Sequence, residues 1–137
     1  MSSEFSLPSQ RRLGRAVSIT AAVLGASAVA LGAFGTHSLR DVLSAESLAT
    51  FDTAVRYQLI HAVVLLVVAQ LTASFSTKWI RRSGYLFGAG IILFSGSLYG
   101  LVLTGWSAFG PITPVGGACL IAGWLCLVVA SIEAGKA

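Results

Sequence analysis

The sequence predicts an all-α fold: an integral membrane four-helix bundle, with a short interfacial helix between the first two spans. Of the 137 residues, 55% are hydrophobic and only 10% are charged, whereas soluble domains average about 25% charged residues. The charges lie in short clusters between four long apolar runs, and about 20 apolar residues suffice to cross a bilayer as a helix. The net charge of +4 does not indicate nucleic acid as a partner, because the basic residues flank apolar runs and form no face with interleaved aromatic residues.

The first span is predicted over residues 16–34, after a cytoplasmic tail at residues 1–15 that contains three arginines. A competing interpretation is an export signal, because paired arginines precede an apolar stretch with the small residues of a cleavage site. The stretch is longer than a usual signal core, and Gly25 and Gly32 suit a helix that packs closely against another. We therefore expect a membrane span, and a single four-span membrane domain over residues 16–134.

The stretch that follows the first span carries more charge and has helical periodicity. Apolar residues recur there at spacings of three and four, at Leu48, Phe51, Val55 and Leu59. This spacing places them on one face of a helix, and Ser44 is a suitable N-cap. The pattern predicts a short helix in the membrane interface that leads directly into the second span, at residues 54–75.

The last two spans are predicted over residues 83–104 and 115–132. A basic turn with Lys78, Arg81 and Arg82 precedes the third span, and a turn rich in glycine and proline separates the third span from the fourth. Cys119 and Cys126 both lie in the fourth span, seven residues apart. That separation is about 10 Å along a helix, too far for a mutual disulfide.

The positive charges predict the orientation of the bundle. Seven of the nine basic residues fall on one side of a four-span arrangement: Arg11, Arg12, Arg15, Lys78, Arg81, Arg82 and Lys136. Arg40 and Arg56 fall on the other side, where acidic residues offset them. Because Lys and Arg accumulate on the cytoplasmic side, we expect both termini in the cytoplasm.

Small residues recur along three of the spans and predict close helix packing. Helices in lipid associate through such contacts, since lipid removes the hydrophobic drive that operates in water. The candidate packing residues are Gly25 and Gly32 in the first span, Gly84, Gly88, Gly96 and Gly100 in the third, and Gly116 and Gly123 in the fourth. This pattern favours a tight bundle with little central volume.

The second span has an unusually polar face. Tyr57, Gln58 and His61 share one side of a helix with about 3.6 residues per turn. Polar groups at membrane depth are costly and usually face the interior of a bundle. Asp52 and Arg56 are four residues apart, so we expect them to form an ion pair across one helical turn.

Two interpretations of His61 stay open. In the functional interpretation it carries a proton, or contacts a quinone or haem iron, with His37 as a possible second imidazole. In the structural interpretation His61 and Gln58 form hydrogen bonds with the loop around Thr36 and His37. Two histidines without a third ligand are a weak metal signal, so we expect no metal and no cofactor.

The sequence also lacks a nucleophile elbow, a phosphate-binding glycine loop and a paired-cysteine motif, so we expect no enzymatic activity.

Several short motifs together resemble the domain-of-unknown-function 423 family, whose animal relative is transmembrane protein 256. They are LGAFGTH at 31–37, TAVRYQ at 53–58 followed by His61, FSGSLY at 94–99 and FGPITP at 109–114. The resemblance covers about residues 16–132 and implies a small bacterial inner-membrane protein with four helices. It implies no reaction. The family's signature positions here are Gly32, Phe34, Gly35, His37, Arg56, Tyr57, Gln58, His61, Ser95, Gly96, Ser97 and Tyr99.

Three functional hypotheses follow from these observations. The first is a non-enzymatic accessory or stabilising subunit that acts by association in the bilayer, within a larger membrane complex or a homo-oligomer. The second is a site for a quinone, a lipid head group or a relayed proton at the outer ends of the first three spans. Its candidate residues are His37, Arg56, Tyr57, Gln58, His61, Ser95 and Tyr99. The third is a small transporter or channel component, which requires a continuous polar cavity.

Overall fold

The structure, a computed structural model, describes residues 6–74 and 78–135, and four long helices dominate this part of the chain. They are α1 (Ser6–Phe34), α2 (Ala45–Ser74), α3 (Lys78–Thr104) and α4 (Ile112–Ala134). All four are long and apolar enough to cross a membrane. The predicted all-α membrane bundle of four helices is therefore confirmed.

The helices are longer than the spans predicted from hydropathy. α1 begins at Ser6, inside the stretch assigned to the tail, and the division into tail and membrane domain stays a prediction. α2 contains 30 residues and is therefore about 45 Å long, longer than the hydrocarbon core of about 30 Å. Residue 75, the last of the predicted second span, lies outside the described residues.

The helix predicted after the first span is present, but it is continuous with the second span and is not an element of its own. Residues 45–52 form the first turns of α2, and α2 continues without a break because no glycine or proline interrupts it. The predicted cap is present: the Ser47 N–H donates to Ser44 Oγ at 3.1 Å. Phe51 and Val55 of the apolar face are buried in a cluster that includes Leu31 of α1 and Tyr99 of α3, whereas Leu59 is exposed. A Cβ on Gly35 would lie 3.0 Å from the Phe51 ring. A π-helical turn at Gly35–Leu39 extends α1 in this region.

The helices pack mainly against their neighbours in the chain. α1 packs on α2, α2 on α3 and α3 on α4, and in the described part of the chain no comparable interface joins α1 to α3 or α4. The largest core cluster surrounds Phe87, which is completely buried near Leu65, Val68 and Leu120. α2 and α3 therefore form the centre of the bundle, and α1 is supported on one side only.

Glycines bring α3 and α4 into backbone contact. A Cβ on Gly116 would overlap the Phe94 backbone nitrogen and lie 2.7 Å from the Phe94 Cα. A Cβ on Gly123 would lie 2.9 Å from the Phe87 ring. Gly90, which the sequence did not single out, faces α4, where its Cβ would lie 3.1 Å from the Leu120 backbone nitrogen.

The other candidate packing glycines differ in how closely they approach their neighbours. A Cβ on Gly100 would lie 2.8 Å from the Phe109 ring, and one on Gly32 would lie 3.3 Å from the Val55 side chain. A Cβ on Gly84 would lie 3.4 Å from the Val68 side chain, and one on Gly25 would lie 3.9 Å from the Ala62 Cβ. A Cβ on Gly88 or Gly96 would meet no atom of the described chain within 4 Å. These two glycines therefore border open space in a single chain. Both Cys119 and Cys126 are free thiols.

We expect Gly116→Ala to destabilise the protein by about 1–3 kcal/mol, because its Cβ would force the α3 and α4 backbones apart. Gly117→Ala is the matched control, since its Cβ would make ordinary contact with the Phe94 ring at 3.7 Å. The measurement is the thermal unfolding midpoint of both variants in the same detergent. Equal midpoints for the two variants would contradict close α3–α4 packing.

Candidate functional site

The Gln58 side chain lies at the centre of a hydrogen-bond network that joins three helices. It is only 4% exposed. Its Nε2 donates to the Leu24 carbonyl at 2.9 Å and to Ser27 Oγ at 2.8 Å, both in α1. Its Oε1 accepts a hydrogen bond of 2.9 Å from the Tyr99 hydroxyl in α3. The amide therefore links α2 to α1 through its nitrogen and to α3 through its oxygen.

Two serines of α3 extend these interhelical contacts. Buried Ser95 donates to the Ala54 carbonyl of α2 at 2.8 Å. Ser97 Oγ lies 2.7 Å from Thr113 Oγ1 of α4. Each of the two contacts satisfies polar atoms that would otherwise face hydrocarbon, where an unpaired group costs free energy.

His61 is enclosed by aromatic rings. Its Nδ1 lies 2.8 Å from the Tyr57 carbonyl, and its Nε2 lies 3.4 Å from Trp124 Nε1 of α4. A ring with its hydrogen on Nδ1 satisfies both contacts, because it donates to the carbonyl and accepts from the indole. The His61 ring centroid is 5.8 Å from those of Tyr57 and Phe87 and 6.4 Å from that of Trp124.

The partners predicted for Gln58 and His61 are wrong. Among the described residues, neither side chain bonds to Thr36 or His37, and the Thr36 hydroxyl donates to the Gly32 carbonyl within its own helix. His37 is exposed on the π-helical turn. His61 lies 16 residues into α2, about 24 Å along the helix. The two histidines are therefore not brought together.

Arg56 also lies apart from the network. Its Nη2 is 3.0 Å from Asp52 Oδ2, and both side chains are exposed. The predicted ion pair is confirmed. The seven candidate residues thus separate into a buried or half-buried group, formed by Gln58, His61, Ser95 and Tyr99, and three exposed residues, His37, Arg56 and Tyr57.

Ser27 and Trp124 belong to the network although the sequence did not assign them to the candidate site. Ser27 carried a usable signal, since an amide in a span needs several partners and a serine in a neighbouring span is a natural acceptor. Within residues 6–74 and 78–135, every buried side-chain nitrogen or oxygen atom has a hydrogen-bond partner. In the same part of the chain, no three His, Cys, Asp or Glu side chains are grouped as metal ligands would be.

Two clefts lie away from this network. The first, here called the outer cleft, has a volume of about 420 Å³ and separates the end of α1 from the start of α2. Its lining includes Gly32, Gly35, Thr36, Arg40, Ala49, Phe51, Asp52 and Val55. The second, the inner cleft, has a volume of about 310 Å³ and lies between α1 and α3 over α2. Its lining includes Val17, Thr20, Leu65, Thr72, Arg81, Gly84, Tyr85 and Gly88. None of the seven candidate residues lines either cleft.

Comparison with known proteins assigns the chain to a family. A family model described as "Protein of unknown function (DUF423)" matches residues 31–117. The chain belongs to this family. The resemblance that the sequence motifs carry is therefore confirmed, and the match includes both α2 and α3 in full.

Curated relatives of the chain are membrane proteins. UPF0382 membrane protein SAB0533 of Staphylococcus aureus is 43% identical over 108 residues, 77% of this chain and 86% of the relative. UPF0382 membrane protein YwdK of Bacillus subtilis is 42% identical over 116 residues, 84% of this chain and 94% of the relative. UPF0382 inner membrane protein YgdD of Escherichia coli is 36% identical over 115 residues, 84% and 88% of the two chains. No solved structure matches this chain.

We expect Gln58→Leu to lower the free energy of unfolding by roughly 2 kcal/mol, because interhelical hydrogen bonds in membranes average about 0.6 kcal/mol each and three would be lost. Gln70→Leu is the matched control on the same helix, since the exposed Gln70 makes only a 3.5 Å contact with Ser18. Unfolding of both variants in mixed micelles measures the difference. A loss of similar size for Gln70→Leu would show that the Gln58 network does not hold the helices together.

Proposed function

We propose that the protein is a non-enzymatic accessory or stabilising subunit that acts by association within the membrane. The side chains of Gln58, Ser95 and Tyr99 support this proposal, because they form hydrogen bonds across helix interfaces and none of them lines a cleft. We further propose a bacterial inner membrane as its location, with both termini in the cytoplasm. The basic residues near the beginnings of α1 and α3 support that orientation.

An exposed stripe of small residues on α1 carries the proposal of association. Ala22, Ala26 and Ala30 follow one another at intervals of four and are all exposed, so they lie on one face of the helix. Small residues at this spacing let a second membrane helix approach the backbone closely. Since α1 packs extensively only on α2, its alanine stripe is open to a partner helix from another subunit or from a second copy.

We expect Ala26→Leu to separate the protein from its partner, because a larger side chain in the alanine stripe keeps the partner helix at a distance. Ala118→Leu is the matched control, since Ala118 is an exposed alanine on α4. The measurement is the size of the particle extracted in mild detergent, together with co-purification of two differently tagged copies. The tagged copies distinguish a homo-oligomer from a complex with another protein.

Two results would contradict association through α1. One is a wild-type particle of monomer size in several mild detergents and in cross-linked membranes. The other is a complex that Ala26→Leu and Ala118→Leu disturb equally, since the alanine stripe would then have no special role.

The outer cleft favours a second candidate function, a binding site for a quinone or a lipid head group. Arg40 and Asp52 line the cleft together with the apolar side chains of Phe51 and Val55. Opposite charges beside an apolar wall suit a molecule with a polar head and an apolar body.

His61 is not part of this site, and its aromatic enclosure gives little support to a proton relay. The outer and inner clefts share no lining residue, so neither cleft supports a transport path.

We expect the wild-type protein to retain such a molecule on extraction in mild detergent, and Ala49→Trp to lose it, because the indole fills the outer cleft. Val42→Trp is the control, because Val42 is highly exposed and does not line the cleft. Quinones and lipids that co-purify per mole of each variant are quantified by mass spectrometry. Equal retention by both variants would argue against this second candidate.

A further inference from the structure

The inner cleft is an open space at the end of the bundle where the basic clusters lie. Val17 and Thr20 of α1 form one wall, Gly84 and Gly88 of α3 form the other, and Leu65 of α2 lies at the floor. The cleft exists because α1 packs on α2 without a matching interface to α3. The glycines widen it further, since a Cβ on Gly88 would meet nothing within 4 Å.

A charged side chain stands at the mouth of this apolar cleft. Arg81 lines the cleft, while its neighbours Lys78 and Arg82 lie over the Trp79 ring, 5.4 Å and 4.9 Å from its centroid. Trp79 donates a hydrogen bond of 2.8 Å to Glu133 of α4, so this group belongs to the α3–α4 side of the bundle. Within the described residues, the Arg81 guanidinium has neither an ion pair nor a hydrogen bond.

We infer that the inner cleft binds one anionic phospholipid of the cytoplasmic leaflet. The acyl chain lies between α1 and α3, and the phosphodiester accepts hydrogen bonds from Arg81. A guanidinium suits this role because its planar set of donors matches two phosphate oxygens. Arg12 and Arg15 add positive charge at the same end of α1, and basic pockets between helices on the cytoplasmic side attract anionic head groups.

The length of the inner cleft suits part of a lipid acyl chain in one leaflet. From Arg81 to Gly88 the cleft follows seven residues of α3, about 10 Å along the helix, which lies within the half-thickness of about 15 Å of one leaflet.

The test is lipid binding by the full chain in detergent, followed by native mass spectrometry. The probes are phosphatidylglycerol, cardiolipin and phosphatidylcholine, the last of which has no net charge. We expect one phosphatidylglycerol or cardiolipin per wild-type chain, with phosphatidylcholine retained roughly tenfold less, because its choline ammonium cancels the charge of the phosphodiester and is repelled by Arg81 and the nearby arginines of α1. Equal retention of phosphatidylcholine would overturn the assignment of an anionic lipid.

Two pairs of variants locate the site. Arg81→Gln should weaken phosphatidylglycerol binding by roughly tenfold, whereas Arg82→Gln should not, because Arg82 lies over Trp79. Gly88→Leu should abolish lipid binding by filling the cleft, whereas Gly96→Leu should not. Gly96 is the matched control, since its Cβ also meets open space and it does not line the cleft. Equal effects within either pair would overturn the inference.

Further controls separate loss of lipid binding from loss of folding, and binding of the whole lipid from binding of its head group. Arg81 is exposed, so Arg81→Gln remains informative even where Gly88→Leu does not accumulate. Glycerol phosphate, which has no acyl chain, should not compete with phosphatidylglycerol, and effective competition would overturn the role of the apolar cleft. A dimer that contacts Gly88 and retains no lipid would also overturn the inference. Ala26 does not line the inner cleft. The test of association through α1 is therefore independent of the test of lipid binding.

Discussion

The arrangement of the first three helices depends on the hydrogen bonds of the Gln58 amide. In hydrocarbon, an amide without partners is costly, and apolar contacts between helices are no better than contacts with lipid. Gln58 resolves both problems, since its nitrogen bonds to Leu24 and Ser27 in α1 and its oxygen accepts from Tyr99 in α3. α2 thereby becomes the helix to which its two neighbours are fixed in register.

The α3–α4 pair is held in a different way. Gly116 and Gly123 allow close backbone approach, the Ser97–Thr113 contact joins the pair at one end, and the Trp79–Glu133 hydrogen bond joins it at the other. α1 has fewer such polar contacts: among the described residues, the side-chain hydrogen bond that joins it to α2 beyond the Gln58 site is the long contact from Gln70 to Ser18. This difference in support leaves the alanine stripe exposed and the inner cleft open.

The sequence predicted the number of long apolar helices because an apolar run long enough to cross a bilayer is a strong signal. It also predicted the Ser44 cap and the Asp52–Arg56 pair, since both depend on neighbours within one helix. It did not predict the partners of Gln58, because an acceptor such as the Leu24 carbonyl is backbone and has no signature in the sequence. Periodicity showed that Phe51 is buried, but not that α1 covers it, which is why a membrane-facing helix was expected.

The positions of the polar groups decide which parts of the molecule remain available for binding. Ionisable and polar residues inside a span usually mark a functional site. Here, however, the side chains of Gln58, His61 and Tyr99 form hydrogen bonds with residues of neighbouring helices. The charged residues that line the clefts are Arg40 and Asp52 at one end of the bundle and Arg81 at the other. Since α1 forms a wall of both clefts and also carries the alanine stripe, whatever fills a cleft or packs on the stripe must contact a helix that packs extensively on only one neighbour. Lipids and partners that bind at these places would therefore act on the position of α1.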